Sequence, residues 1–202
     1  ILHNQNSFEL PVFNNISFSL SKGECLVLSG SSGTGKSTLL RSIYGNYLTH
    51  LGEINIYHNQ SWINLVGAPP HLILDVRKQT LGYVSQFLRV IPRISTLDLV
   101  AEPLLSRGET EVNSINRAKD ILKKLAIPEN LWNLPPATFS GGEQQRVNIA
   151  ITFVRDFPIL LLDEPTASLD TKNKQAVIDL IKNAKDNGTA IIGIFHDESV
   201  RD

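Results

Sequence analysis

Apolar positions along the chain follow two rhythms. Short apolar runs bounded by Gly, Pro or polar residues predict strands over residues 13–20, 25–29, 53–57, 62–66, 81–85, 158–162 and 189–195. Three of these runs, Val27-Leu28, Ile159 to Leu162 and Ile191 to Phe195, do not alternate with polar residues. That pattern is expected of central strands in a parallel sheet covered by helices on both faces. A three-to-four spacing takes over at Ile115, Ala118, Ile121, Leu122, Leu125 and Ala126, and again at Ala176, Val177, Leu180, Ile181 and Ala184 after Asp170-Thr171, with Gly188 as a stop. Helical signals dominate 87–157 and strands dominate the flanks. The expected architecture is one α/β domain over 1–202 with a mainly parallel central sheet and a small antiparallel β portion. Its core is built from 1–86 and 158–202, and 87–157 forms an inserted helical subdomain.

Composition narrows the function classes. The 202 residues are 42% apolar and 19% charged, enough for a buried core. Lys and Arg total 19 against 20 Asp and Glu, a formal charge of -1, so no global positive field points to nucleic acid as a partner. The longest apolar stretches, 158–162 and 190–195, fall far short of the roughly 18–20 residues that span a bilayer. Cys25 is the only cysteine; it excludes an internal disulfide, fits a reducing, cytoplasmic setting, and reads as a small packing residue. With Ile1 first and no methionine anywhere, both natural ends are expected to lie outside this sequence.

Gly30-Ser31-Ser32-Gly33-Thr34-Gly35-Lys36-Ser37 matches the phosphate loop G-x-x-x-x-G-K-[ST], directly after a predicted strand and before the helical run 37–44. Glycines let successive backbone N–H groups turn toward phosphate oxygens, and the helix N-terminus adds partial positive charge. Lys36 reaches the β- and γ-phosphates, Ser37 can ligate Mg²⁺, and Thr38 adds a donor. The strand 158–162 then delivers two adjacent carboxylates. Asp163 is expected to hold Mg²⁺ through its water shell, and Glu164 to orient and deprotonate the water attacking the γ-phosphate; a strand followed by an acidic helix cap is the plainer alternative. Gln86 and His196 follow the strands 81–85 and 189–195. If those strands run parallel, Gly30, Gln86, Asp163 and His196 all reach the C-terminal edge of the sheet, where open α/β sheets bind ligands.

Phe139-Ser140-Gly141-Gly142-Glu143-Gln144-Gln145-Arg146 opens another helix. Ser140-x-x-Glu143 is a capping box, and the paired glycines also bare a helix N-terminus for a phosphate contact; both uses are compatible. The histidines His3, His50, His58 and His71 lack metal-ligand spacing, so they are assigned surface roles and no zinc site. Trp62 and Trp132 are expected to anchor packing.

Together, the loop at 30–38, Gln86, Ser140-Gly-Gly-Glu-Gln144, Ile159 to Glu164, Ser168-Leu-Asp170 and His196 resemble the motif set of ABC-type ATPases across nearly the whole chain. The resemblance implies a P-loop nucleotide-binding core with ATP and Mg²⁺ as cofactors. It also implies a head-to-tail pair with a second copy or a related chain, in which Ser140 and Gly142 contact the γ-phosphate held by the opposite subunit and Gly141 and Glu143 complete that nucleotide-binding segment. By the same resemblance Gln86 senses Mg²⁺ and the attacking water, His196 contacts the γ-phosphate and Asp170 couples the two sites. An aromatic that stacks on adenine is implied ahead of 12–18, where Phe8 is the nearest candidate and hairpin packing its alternative role. Where the family usually carries Arg after Ala150, this chain has Ile151.

A narrower resemblance links residues 41–47, 86–93, 131–140 and 194–198 to the ABC-type subunit of the carbon–phosphorus lyase system, a ribose 1-methylphosphonate 5-triphosphate synthase subunit. It implies a role in phosphonate catabolism with phosphonate enzyme subunits as partners. The alternative is the cytoplasmic motor of a membrane transporter, whose helical subdomain offers a groove to transmembrane subunits; the stretch 87–105 would line that groove in either case. Chromosome and DNA-repair relatives carry long coiled-coil insertions between the Gln and signature motifs; here only the 53 residues 87–139 intervene.

Overall fold

The computed structural model describes residues 2–5, 8–11, 16–47, 51–86 and 93–195, with the side chains of 2–5 and 8–11 left out. In chain order the elements are β1 (Leu2–Gln5), β2 (Phe8–Pro11), β3 (Cys25–Val27), α1 (Lys36–Ile43), β4 (Asn55–His58), β5 (Ser61–Asn64), α2 (Pro70–Gln79), β6 (Leu81–Val84), α3 (Thr96–Leu105), α4 (Glu111–Lys124), α5 (Gly141–Phe153), β7 (Ile159–Asp163), α6 (Thr171–Asp186) and β8 (Ala190–Ile194). Two short 3₁₀ turns, Glu129–Leu131 and Pro136–Thr138, lie between α4 and α5.

Four strands form a parallel sheet in the order β3-β8-β7-β6. Its inner strands β7 and β8 are buried almost throughout, which is why their sequences carry no polar residue before Asp163 at the end of β7. Successive side chains serve opposite faces: Leu160, Leu162 and Ile191 join a larger core with α3, α4 and α5, whereas Leu161, Ile192 and Ile194 join a smaller one with α1, α2 and β4. The strand containing Val27 departs from expectation. β3 lies at the sheet's edge with its residues only half-buried: both faces are covered, Cys25 and Val27 by the larger core and Leu26 by the smaller one, but only one strand flanks it.

The expected strand at 13–20 is also corrected. Residues 13–15 lie outside the described residues, and 16–20 is irregular, with Ile16 50% and Phe18 42% exposed. Alternation supplies an apolar face, but a strand also needs a ladder partner for its backbone groups. The antiparallel portion is instead two hairpins, β1–β2 and β4–β5. Asn59 and Gln60 turn the second one, both with positive φ, as a two-residue I′ turn requires.

Among the helices, α3 packs on α4 and α5, and α5 lies against β6. Ser95 and Thr110 accept N-terminal N–H groups of α3 and α4, and Gly188, at φ 90°, follows α6 as its glycine predicted. α2 was not expected. Its Pro69-Pro70 start suits the first helical turn, where no N–H is needed, and Arg77 ties it back to α1 through the Tyr44 carbonyl at 2.8 Å.

Two isolated residues also differ from expectation. His58 is buried, with Nδ1 2.7 Å from Thr80 Oγ1 and Nε2 2.9 Å from Asp75 Oδ2, clasping the second hairpin to α2. Trp62 is 71% exposed and meets only the edge of Tyr57 among aromatic rings of the described residues. Trp132 does anchor packing: it is buried and its Nε1 donates to the Ile127 carbonyl at 3.1 Å. Among the described residues no helix is long and apolar enough to cross a membrane.

Candidate functional site

The loop between β3 and α1 is shaped by its glycines. Gly30, Gly33 and Gly35 all have φ between 83° and 144°, a region that side chains rarely tolerate. A Cβ on Gly30 would come within 3.2 Å of Thr34 Oγ1, whose hydroxyl closes the turn by donating to the Ser31 carbonyl at 2.9 Å. Lys36 folds across the loop, its Nζ 2.7 Å from the Gly30 carbonyl and 2.8 Å from that of Ser31. Gly35 caps α1 without a side chain to bond the first N–H groups, and no acidic residue occupies the first turn. Those amides and the helix dipole therefore suit an anion at the helix N-terminus.

α1 and β7 meet at this loop. Ser37 Oγ donates to Asp163 Oδ1 at 2.8 Å, and Tyr83 on β6 donates to Asp163 Oδ2 at 3.0 Å. Asp163 itself is fully buried. Burial, followed by the nearby Asp163 charge, pushes the Tyr83 phenol up to about 12, so it keeps its proton for that bond. A hydroxyl beside a carboxylate is the hard oxygen donor set that Mg²⁺ prefers, and the pair fits such an ion. Among the described residues no group of three His, Cys, Asp or Glu side chains is arranged to hold a metal.

Glu164 follows immediately, half-buried and in the left-handed region at φ 52°. Its N–H donates to the Ile194 carbonyl at 3.1 Å, pinning it beside the end of β8. Gln86 Nε2 reaches Glu164 Oε2 at 3.2 Å. The structure thus brings the loop, Gln86, Asp163 and Glu164 together at the C-terminal ends of parallel strands. His196 lies outside the described residues.

The Ser140 motif caps α5 with a complete capping box. Ser140 N–H donates to Glu143 Oε2 at 2.9 Å and Glu143 N–H to Ser140 Oγ at 3.4 Å. Hydrogen bonds from the Ser140 hydroxyl and N–H hold the Glu143 carboxyl below its ordinary range. Gly141 is open, with nothing within 4 Å of an added Cβ, whereas one on Gly142 would meet the Ser168 carbonyl at 3.0 Å. Asp170 caps α6, accepting from the Asn173 N–H at 2.9 Å and Nδ2 at 2.8 Å, and Arg146 of α5 donates to Asn173 Oδ1 at 2.6 Å. Asn148 Nδ2 donates to the Ser85 carbonyl at 2.7 Å, and Gln145 Nε2 to that of Pro165 at 3.4 Å. The helix after Ser140 is therefore bonded to the segments carrying Gln86, Glu164 and Asp170. Ile151 is half-buried and packs on the larger core.

Sequence reasoning missed Tyr83, which donates to Asp163 Oδ2, and Arg41, whose charge acts on the same phenol. A tyrosine inside an apolar strand was the available signal, since a buried phenol must find a partner.

Comparison with known proteins agrees with this geometry. The profile of the family described as ABC transporter matches residues 13–167. YbbA of Escherichia coli K12, named as an uncharacterized ABC transporter ATP-binding protein, is 35% identical over 199 residues, covering 96% of this chain and 83% of YbbA; its Shigella flexneri counterpart matches equally. The ATP-binding cassette MJ0796, solved as a post-hydrolysis dimer with ADP and Pi, superposes with a TM-score of 0.88 at 28% identity, over 98% of this chain and 86% of that one. A second dimeric structure of MJ0796, described as a bacterial ABC transporter cassette, gives a TM-score of 0.90 over the same shares. On the matched profile and this likeness, the chain belongs to the ABC transporter family, as one of its ATP-binding cassettes.

Proposed function

We propose that this chain is the nucleotide-binding motor subunit of a membrane transporter, binding and hydrolysing ATP on the cytoplasmic side. The observation that carries it is the meeting of the phosphate loop, through Ser37, with Asp163, beside the Gln86–Glu164 bond. In this reading the loop amides and Lys36 hold the phosphates, and Ser37, Asp163 and Gln86 hold the Mg²⁺. That ion, when bound, neutralises charge developing on the phosphates. Glu164, steered by Gln86, accepts the proton of the attacking water, and His196 contacts the γ-phosphate. Ser140, Gly141, Gly142 and Glu143 present the α5 N-terminus to nucleotide on a second cassette, with Asp170 beside the junction.

The transporter role takes precedence over the phosphonate one that the narrower resemblance favoured. YbbA and MJ0796 carry transporter names, and the carbon–phosphorus lyase assignment rests on the four segments 41–47, 86–93, 131–140 and 194–198 alone. Affinity purification from cells that also express the native partners separates them. Recovery of integral membrane subunits with ATP-dependent release of phosphate supports the motor; recovery of phosphonate enzymes without membrane subunits overturns it.

A further inference from the structure

Beneath the phosphate loop a line of side chains runs from α1 to β7 by way of β6. Arg41, one helical turn after Ser37, brings its guanidinium charge to bear on the Tyr83 phenol. Tyr83 donates to Asp163 Oδ2 at 3.0 Å, and Ser37 Oγ donates to Asp163 Oδ1 at 2.8 Å. A cation favours the phenol oxygen facing it, which leaves the single phenolic proton turned toward the carboxylate. The ring is itself fixed. Tyr44 lies against it with centroids 5.0 Å apart, and Tyr44 is covered by Arg77, whose guanidinium carbon is 4.6 Å from that ring's centroid. With Oδ2 held by Tyr83, the carboxylate cannot rotate without losing a buried hydrogen bond, and Oδ1 stays directed at Ser37.

We propose that Tyr83, oriented by Arg41, is a positioning residue that fixes the Asp163 carboxylate and thereby sets the affinity of this site for its divalent cation. The proposal rests on the reading of Ser37 and Asp163 as cation ligands. Groups that orient a ligand without touching the metal commonly change metal affinity by tenfold or more, and Tyr83 stands in that relation to Asp163.

The test uses Mn²⁺ as the probe with a non-hydrolysable ATP analogue on the full chain, counting free Mn²⁺ by its paramagnetic resonance. Tyr83→Phe keeps the ring and removes the proton; Arg41→Met keeps the phenol and frees its orientation. Each is expected to weaken Mn²⁺ binding about tenfold, while affinity for the analogue in EDTA stays within twofold. A Mn²⁺ affinity within twofold of the parent, in whichever of the two variants retains a cooperative thermal transition, overturns the proposal, because packing alone would lower the transition and leave the cation untouched. The parent chain and Ser37→Ala test the underlying reading separately. A parent that takes up no Mn²⁺ with the analogue, or a Ser37→Ala chain that takes it up normally, defeats the assignment of the site and not merely the part given to Tyr83.

Discussion

At the scale of single residues, the backbone of Glu164 is the most telling feature of the site. A left-handed conformation costs an L-residue about 1–2 kcal/mol, and here it is held by the N–H bond to Ile194. Strain of this kind persists where surroundings over-determine it, often at functional sites. Replacing Glu164 by Gln preserves shape and removes the proton acceptor, so phosphate release should fall by about 10²–10⁴-fold while ATP affinity is retained. Steady-state phosphate release and equilibrium nucleotide binding, measured on one preparation, check both halves. Lys36→Ala should do the reverse, weakening ATP binding by about tenfold to a hundredfold through loss of a charge-assisted bond to phosphate; titration with a fluorescent nucleotide reads it. Unchanged affinity would move the phosphates away from this loop.

At the scale of elements, β6 packs so closely that its glycine has no room for a methyl group. A Cβ on Gly82 would lie 2.6 Å from Leu160 Cδ2 and 2.7 Å from Phe157 Cδ2. Gly82→Ala is therefore expected to destabilise by about 1–3 kcal/mol, lowering the melting temperature by several degrees in a calorimeter. The clasp between the second hairpin and α2 gives a pH dependence. The hydrogen bond from His58, followed in effect by that from Gln79, holds the Asp75 carboxyl below its ordinary range. A lowered carboxyl stabilises the fold fully above its unfolded value near 4 and less as pH falls through its folded value. Asp75→Asn should flatten this acid limb in denaturation titrations run from pH 6 to pH 3; a limb as steep as the parent's would remove Asp75 from the account. These elements were unequally legible. β7 and β8 were plain because burial on two faces writes an uninterrupted apolar run, β6 because polar residues bound its short apolar run, and the helices from 111 and 171 because one face repeats. The first hairpin was not, since four-residue strands carry little periodicity, and neither was the buried role of His58, whose partners lie 17 and 22 residues away on α2 and at Thr80.

At the scale of the molecule, the two apolar cores share one sheet: Leu160 and Leu162 face one, Leu161 the other, along the same strand. The motif residues were readable because a phosphate loop needs fixed glycines and because parallel strands end together, so their convergence followed from chain direction alone. The tie from α5 to the segments of Gln86, Glu164 and Asp170 was not, because Gln145, Arg146 and Asn148 act through backbone carbonyls and Asn173, contacts that leave no spacing pattern. Sharing a sheet has a thermodynamic consequence. The smaller core cannot open without exposing the back of β7, on which the larger core rests, so heat should unfold the described body in one transition. A nucleotide bound at the loop would sit where α1 meets β7 through Ser37 and Asp163, and at a hundred times its dissociation constant it should add about 2.7 kcal/mol. For a chain of this size that amounts to roughly 5–10 °C. MgATP added to the Glu164→Gln chain is expected to move the whole transition upward by that margin, and to move the Lys36→Ala chain by about half as much or less. Two separate transitions, only one of them shifted by nucleotide, would mean that the cores melt independently and that β7 does not couple them.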